Sequence, residues 1–139
     1  MLKQSPAVIA LLLIMVAGRG MVAALSYFAP VLAMDIYGFN FLPSDPVWYF
    51  IRVWAGRDII LSLLVLTSRP NYLVPLLIAC LGVEASDIVA ASLGYASGAL
   101  DLSHFQAQLA TILAPAMIPE GIALYLIIRR PGSPVANRA

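Results

Sequence analysis

A chain of 139 residues that is 62% hydrophobic and only 11% charged has too few ionisable side chains to clothe a water-soluble fold. Its net charge of +1 also lacks the basic footprint of a nucleic-acid binder. With a mean hydropathy of +0.93, the chain reads as an integral membrane protein whose first partner is the lipid bilayer.

A helix needs about 20 apolar residues to cross the hydrocarbon layer. Four stretches reach that length, at 6–34, 47–67, 72–95 and 105–128. The first is interrupted by Arg19 and, near its end, by Pro30. Lys3 ahead of an apolar run, with Val22, Ala23 and Ala24 beyond it, has the outline of a secretory leader. The run continues well past Arg19, so the expectation is an uncleaved anchor. Gly38, Asn40, Pro43, Ser44 and Pro46 make 35–46 a loop, with Asp45 close to the next helix start. The second span ends at Ser68-Arg69-Pro70-Asn71, a tight turn, because proline cannot continue the preceding helix. Gly98 and Asp101 mark a third link at 96–104, and His104 reads as a loop residue there rather than a ligand. The spans form one domain, 1–130, followed by a flexible tail, 131–139.

Short links make consecutive helices antiparallel neighbours, so the expected fold is all-α, a four-transmembrane-helix up-down bundle. Lys3, Arg69, Arg129, Arg130 and Arg138 fall on one side, and the two opposite loops contain no lysine or arginine. That bias puts both termini in the cytoplasm and the protein in the cell membrane as a multi-pass chain. Aromatic residues from Tyr27 and Phe28 through Tyr37, Phe39, Phe41, Trp48, Tyr49, Phe50 and Trp54 to Tyr95 and Phe105 crowd the opposite, outer boundary.

Seven ionisable residues sit inside these apolar stretches: Arg19, Arg52, Arg57, Asp58, Glu84, Asp87 and Glu120. A charge at bilayer depth costs several kcal/mol unless it is paired, hydrated or turned into the protein interior. These seven are therefore the candidate ligand-binding residues. At ~1.5 Å per residue, Arg19, Arg57, Asp58, Glu84 and Asp87 share one slab from the midplane outward. Arg52 lies nearer the outer surface and Glu120 nearer the inner side. Glu84 and Asp87, three apart, project from one helix face. Two carboxylates there need an arginine between them or a proton on one. Arg57 and Arg19 are the partners best placed by depth. Asp58 points about 100° from Arg57, so the two need not pair. Arg52 shares a face with Gly56, where glycine permits close helix approach. Pro115 and Pro119 should kink the fourth span and free backbone carbonyls. Glu120 beside that break either borders a small polar cavity or pairs with a base or water.

Cys80 is the lone cysteine and reads as a small buried hydrophobe, so neither an internal disulfide nor a metal site is expected. Gly18, Gly20, Gly82, Ser86, Ala90, Ala91 and Gly94 read as helix-packing surfaces.

The stretch Arg52-Val-Trp-Ala-Gly56-Arg57-Asp58-Ile-Ile-Leu, followed by Arg69 and an acidic third helix, resembles the DoxX-like small four-helix integral membrane proteins and their relatives. Several of those carry Gly-x-Arg-Asp or Gly-Arg-Asp on the second helix and an acid on the third. The resemblance covers 45–130. Arg57 and Asp58 match the motif, and Glu84 or Asp87 supplies the acid. It implies a four-helix bundle in the cytoplasmic membrane; some DoxX relatives serve as membrane subunits of quinone-linked sulfur oxidation. A more distant comparison is the sterol-isomerase-like four-helix fold, whose intramembrane acids move protons on a lipid substrate. This chain lacks the histidine- and tryptophan-rich pocket expected there.

Three functional readings follow. In the first, the Arg/Asp/Glu cluster holds a small amphipathic or anionic ligand, such as a quinone or lipid, with apolar walls around its tail. In the second, one acid of the Glu84/Asp87 pair acts as a general acid in a lipid-modifying, isomerase-like enzyme. In the third, the charges fix assembly with a membrane-protein partner or a second copy, and the protein is a structural accessory subunit.

Overall fold

The computed structural model of the chain describes residues 4–36, 39 and 46–129. Most of the expected 35–46 loop and the tail after Arg129 lie outside these residues. So do Lys3, Arg130 and Arg138, on which the orientation rests, along with Asp45, Tyr37 and Phe41.

Among the described residues all regular structure is helical. Helix α1 spans Pro6–Phe28 and opens where the Ser5 hydroxyl accepts a hydrogen bond from the Val8 N–H, with Pro6 in the first turn. The expected span 6–34 is divided. Ala29 leaves the helical region at φ −133°, ψ 60°, and a short helix α2, Pro30–Ile36, follows. Proline supplies no N–H to the preceding turn and pushes the residue before it out of the α region, which is why the break falls at Ala29.

Helix α3, Val47–Thr67, matches its expected bounds. Helix α4, Pro70–Ala96, starts two residues earlier than expected, because Pro70 is a favoured first residue of a helix rather than a turn former. Its end is set by Gly98, whose φ of +77° lets the Ala99 and Leu100 N–H groups both return to the Gly94 carbonyl.

Helix α5, Leu102–Ile112, also starts early. Asp101 caps it by accepting from the His104 N–H at 2.8 Å, so His104 belongs to the first helical turn and not to a loop. The prolines of the last span do not open a simple kink. Residues Leu113–Met117 form a π-helical segment around Pro115, and α6, Ile118–Ile128, continues from it with Pro119 in its first turn. A widened turn accommodates the proline ring without ending the helix.

Among the described residues three helices are long and apolar enough to cross a membrane: α1, α4 and the continuous α5–π–α6 unit, Leu102–Ile128. Helix α3 has 21 residues but carries Arg52, Arg57 and Asp58. The distribution of side chains is inverted relative to a soluble protein. Ile14, Met21, Phe28, Ile60, Ile78, Val89, Leu93 and Ile118 are exposed, whereas Arg19, Asp58, Glu84 and Glu120 are buried. This is the pattern of a protein whose solvent is lipid.

Helix α1 is the hub, packed along α3 and against the π-helical segment and α6; α4 packs on α5, α6 and α3. The main core joins Val8, Leu12 and Met15 of α1 to Val65, Leu73, Leu77, Cys80, Ala123 and Ile127. Cys80 is fully buried there. A smaller core of Ala33, Met34, Trp48 and Ile51 lies toward the other end. Ring pairs cluster at that same end, with Tyr27 against Phe28 at 5.2 Å and Tyr95 stacked on Phe105 at 5.0 Å.

Glycine spacing proves informative at one place. A Cβ on Gly18 would lie 2.5 Å from the Pro115 Cβ, so α1 and the π-helical segment touch there through backbone. Gly56 is different from expectation: a Cβ would meet Tyr27 at an ordinary 3.5 Å. Gly82 has nothing within 4 Å and is no packing surface in this fold.

Candidate functional site

The buried charges occupy the layer between the two apolar cores. Helix α1 carries Arg19, α3 carries Arg57 and Asp58, α4 carries Glu84 and Asp87, and α6 carries Glu120. Each must turn inward, because a charge left facing lipid has no partner.

They assemble into two groups of three. In the inner group, Arg19 Nη2 donates to Glu84 Oε1 and lies 3.0 Å from Glu120 Oε1. The Arg19 side chain is 2% exposed and that of Glu120 is 0% exposed. In the second group, Arg57 Nη2 donates to Asp87 Oδ2 at 2.9 Å and Nη1 to Oδ1 at 3.5 Å, a two-pronged contact. Arg57 Nε donates to Asp58 Oδ1 at 3.1 Å. Arg57 and Asp87 are half-buried and Asp58 is buried.

Glu84 and Asp87 share a face, as their spacing requires, and no single arginine lies between them. Arg19 takes Glu84 and Arg57 takes Asp87, the two bases that depth singles out. Asp58 pairs with Arg57, a contact that the angle between their Cα–Cβ bonds does not require, because the long arginine side chain folds back over its own helix turn. Of the two alternatives the sequence leaves open for Glu120, the structure shows pairing with a base, Arg19. Arg52 stays outside both groups; it is exposed, and its Nε donates to the Tyr27 carbonyl at 3.3 Å.

A cavity of about 420 Å³ opens above these groups, within the range typical of small-molecule sites. Arg19, Asp58, Glu84 and Asp87 line its polar floor. Phe39, Phe50, Trp54, Met34 and Ile51 form apolar walls, and Ala107, Gln108, Thr111 and His104 of α5 close the other side. Glu120 is not in the lining. Sequence reasoning assigned the aromatic residues to the membrane boundary and missed that Phe39, Phe50 and Trp54 face a cavity. Their only signal was crowding near one end of the charged slab.

Among the described residues several buried polar atoms lack a hydrogen-bond partner: Arg19 Nε and Nη1, both carboxylate oxygens of Glu120, and the hydroxyls of Ser26 and Ser62. The Glu120 contact to Arg19 is close in distance but not aligned as a hydrogen bond. An arginine with two unmet donors at the edge of a cavity is an invitation to an acceptor oxygen.

At the start of α5 Asp101 accepts from the His104 N–H, the Ser103 hydroxyl at 2.7 Å, and His104 Nδ1 at 2.8 Å. These contacts, the backbone N–H first, hold its carboxylate down at about 2. Because the folded value lies below the ordinary one, the stabilisation is complete above the usual carboxylate range and is lost as pH falls toward about 2. Asp101→Ala should therefore speed amide exchange in the first turn of α5 at neutral pH. The unmodified protein should show the same fraying only in strong acid; unchanged exchange in the variant would show that the cap does not hold α5.

Among the described residues no cluster of three or more His, Cys, Asp or Glu side chains could hold a metal ion. Comparison of the chain with protein-family models, curated proteins and solved structures finds no match.

Proposed function

We propose that this is a DoxX-like, four-span protein of the cell membrane, with both termini in the cytoplasm, that binds a small amphipathic molecule in the cavity above its charged layer. Helix α3 supplies the fourth span. Its three charges are matched from inside by Tyr27, Asp87 and one another, which lowers the cost of crossing lipid. The ligand's polar end rests on the Arg19/Asp58/Glu84/Asp87 floor and its apolar part lies against Phe50, Trp54 and Met34. A quinone or a lipid has this character.

The carrying observation is Arg19: almost fully buried, lining the cavity, with Nε and Nη1 unpaired. If the cluster served only to lock helices, satisfying its donors internally would be the stable solution. A cavity-lining arginine with donors unmet among the described residues fits a ligand acceptor better.

The test is mass spectrometry of gently extracted protein, compared with Ala107→Phe, which adds bulk to the cavity lining from α5 and leaves every charged residue in place. A small molecule should accompany the parent protein and be lost from the folded variant. Equal retention by both, or no co-purifying molecule in either even after added lipid and quinone, would overturn the reading.

A further inference from the structure

We propose that the cavity's ligand carries a positively charged head group, making it an amine-bearing, lipid-like amphiphile rather than an anion or a quinone. This rests on the cavity being a ligand site, and it narrows the class of ligand.

The argument starts from charge balance. Arg19 is shared by Glu84 and Glu120, and Arg57 is shared by Asp58 and Asp87. Each guanidinium therefore faces two carboxylates, so with all four acids ionised each group is one positive charge short of neutrality. Excess charge of one sign in a low-dielectric layer is costly, and the cost falls when an opposite charge enters. Among the described residues three of the four acids, Asp58, Glu84 and Asp87, line the cavity, against Arg19 and His104 as the basic side chains there. The cavity thus presents its missing charge to whatever occupies it. A carboxylate or phosphate would add to the excess.

The walls agree with the floor. Trp54, Phe50 and Phe39 line the same volume, and aromatic faces attract cations, most of all when both are out of water. Arg19, 4% exposed, lines the same floor, and its Nε and Nη1 have no hydrogen-bond partner among the described residues. An oxygen next to the amine would meet those donors, while the ammonium group reaches Asp58 or Asp87. An amine with a neighbouring hydroxyl or carbonyl on an apolar tail satisfies both demands.

Dodecylamine, dodecanol and dodecanoate share one tail and differ in head charge. Each is titrated onto the purified full chain, and saturable binding is counted by native mass spectrometry. Dodecylamine should bind at least about tenfold more tightly than dodecanoate, with dodecanol between them. Asp87→Asn should erode the amine's advantage over the alcohol by about tenfold. If that variant does not fold, the order of the three probes on the unmodified protein decides. Amine binding that survives Ala107→Phe would place it outside the cavity and overturn the proposal. Alcohol binding as tight as amine binding would also overturn it, showing that protons already neutralise the acids, while leaving the cavity as a ligand site. Binding of none of the three would remove the ligand site as well.

Discussion

Arg19→Met should cost about 3–5 kcal/mol of stability, enough to remove most folded protein from the membrane. The reason is the geometry on either side. Glu84 and Glu120 come from different helices, and Arg19 is the base both face. Methionine fills similar space but leaves two buried carboxylates with no counter-charge. Thermal unfolding of detergent-extracted protein gives the readout. The neutral triple replacement, Arg19→Met with Glu84→Gln and Glu120→Gln, should recover much of the loss, because removing all members of a buried ionic group is far cheaper than removing one. A single variant as stable as the parent would mean that the inner group contributes nothing to the fold. Arg19→Lys should fall between the two: a point charge on a shorter head cannot address both carboxylates as a planar fork does.

Gly18→Ala should cost about 1–3 kcal/mol although alanine is the better helix former. Its Cβ would lie 2.5 Å from the Cβ of Pro115, and neither atom belongs to a flexible side chain. One backbone must therefore move. Because Arg19 is the next residue, the movement draws the guanidinium away from Glu120 as well. Gly82→Ala is the matched control, since nothing lies within 4 Å of its added methyl; it should be neutral or stabilising by up to about 1 kcal/mol. Pairing Gly18→Ala with Pro115→Gly removes the opposing Cβ, and a double-mutant cycle isolates the contact. An additive cycle would show that the helices do not touch there.

The helix ends follow from local chemistry. Ser5 and Asp101 cap, Pro70 opens α4, Gly98 closes it, and all four act through their own backbone neighbourhood. The errors at these ends share one origin. Proline at 70 and aspartate at 101 read as turn formers, whereas each also suits the start of a helix. The π-helical segment is harder to foresee, because whether Pro115 kinks a helix or widens it depends on what lies opposite. Here that is Gly18. The cavity walls were illegible for a related reason. An aromatic residue near the membrane boundary can face lipid or protein, and Tyr49 is exposed while Trp54 lines the cavity. Only the rotation of α3 about its own axis separates them.

Composition and hydropathy alone place the chain in lipid, and the cost of a charge there obliges Arg19, Asp58, Glu84 and Glu120 to turn inward. The i, i+3 spacing alone puts Glu84 and Asp87 on one face. Which base meets which acid was decided by tertiary structure: Arg57 folds back to its neighbour Asp58, and Arg19 reaches Glu120 as well as Glu84. So was the gathering of Asp58, Glu84 and Asp87 with Arg19 on one cavity floor. Chain order specifies depth and face along each helix, but an arginine side chain spans more than a helical turn, so its partners are chosen by how neighbouring helices tilt and approach.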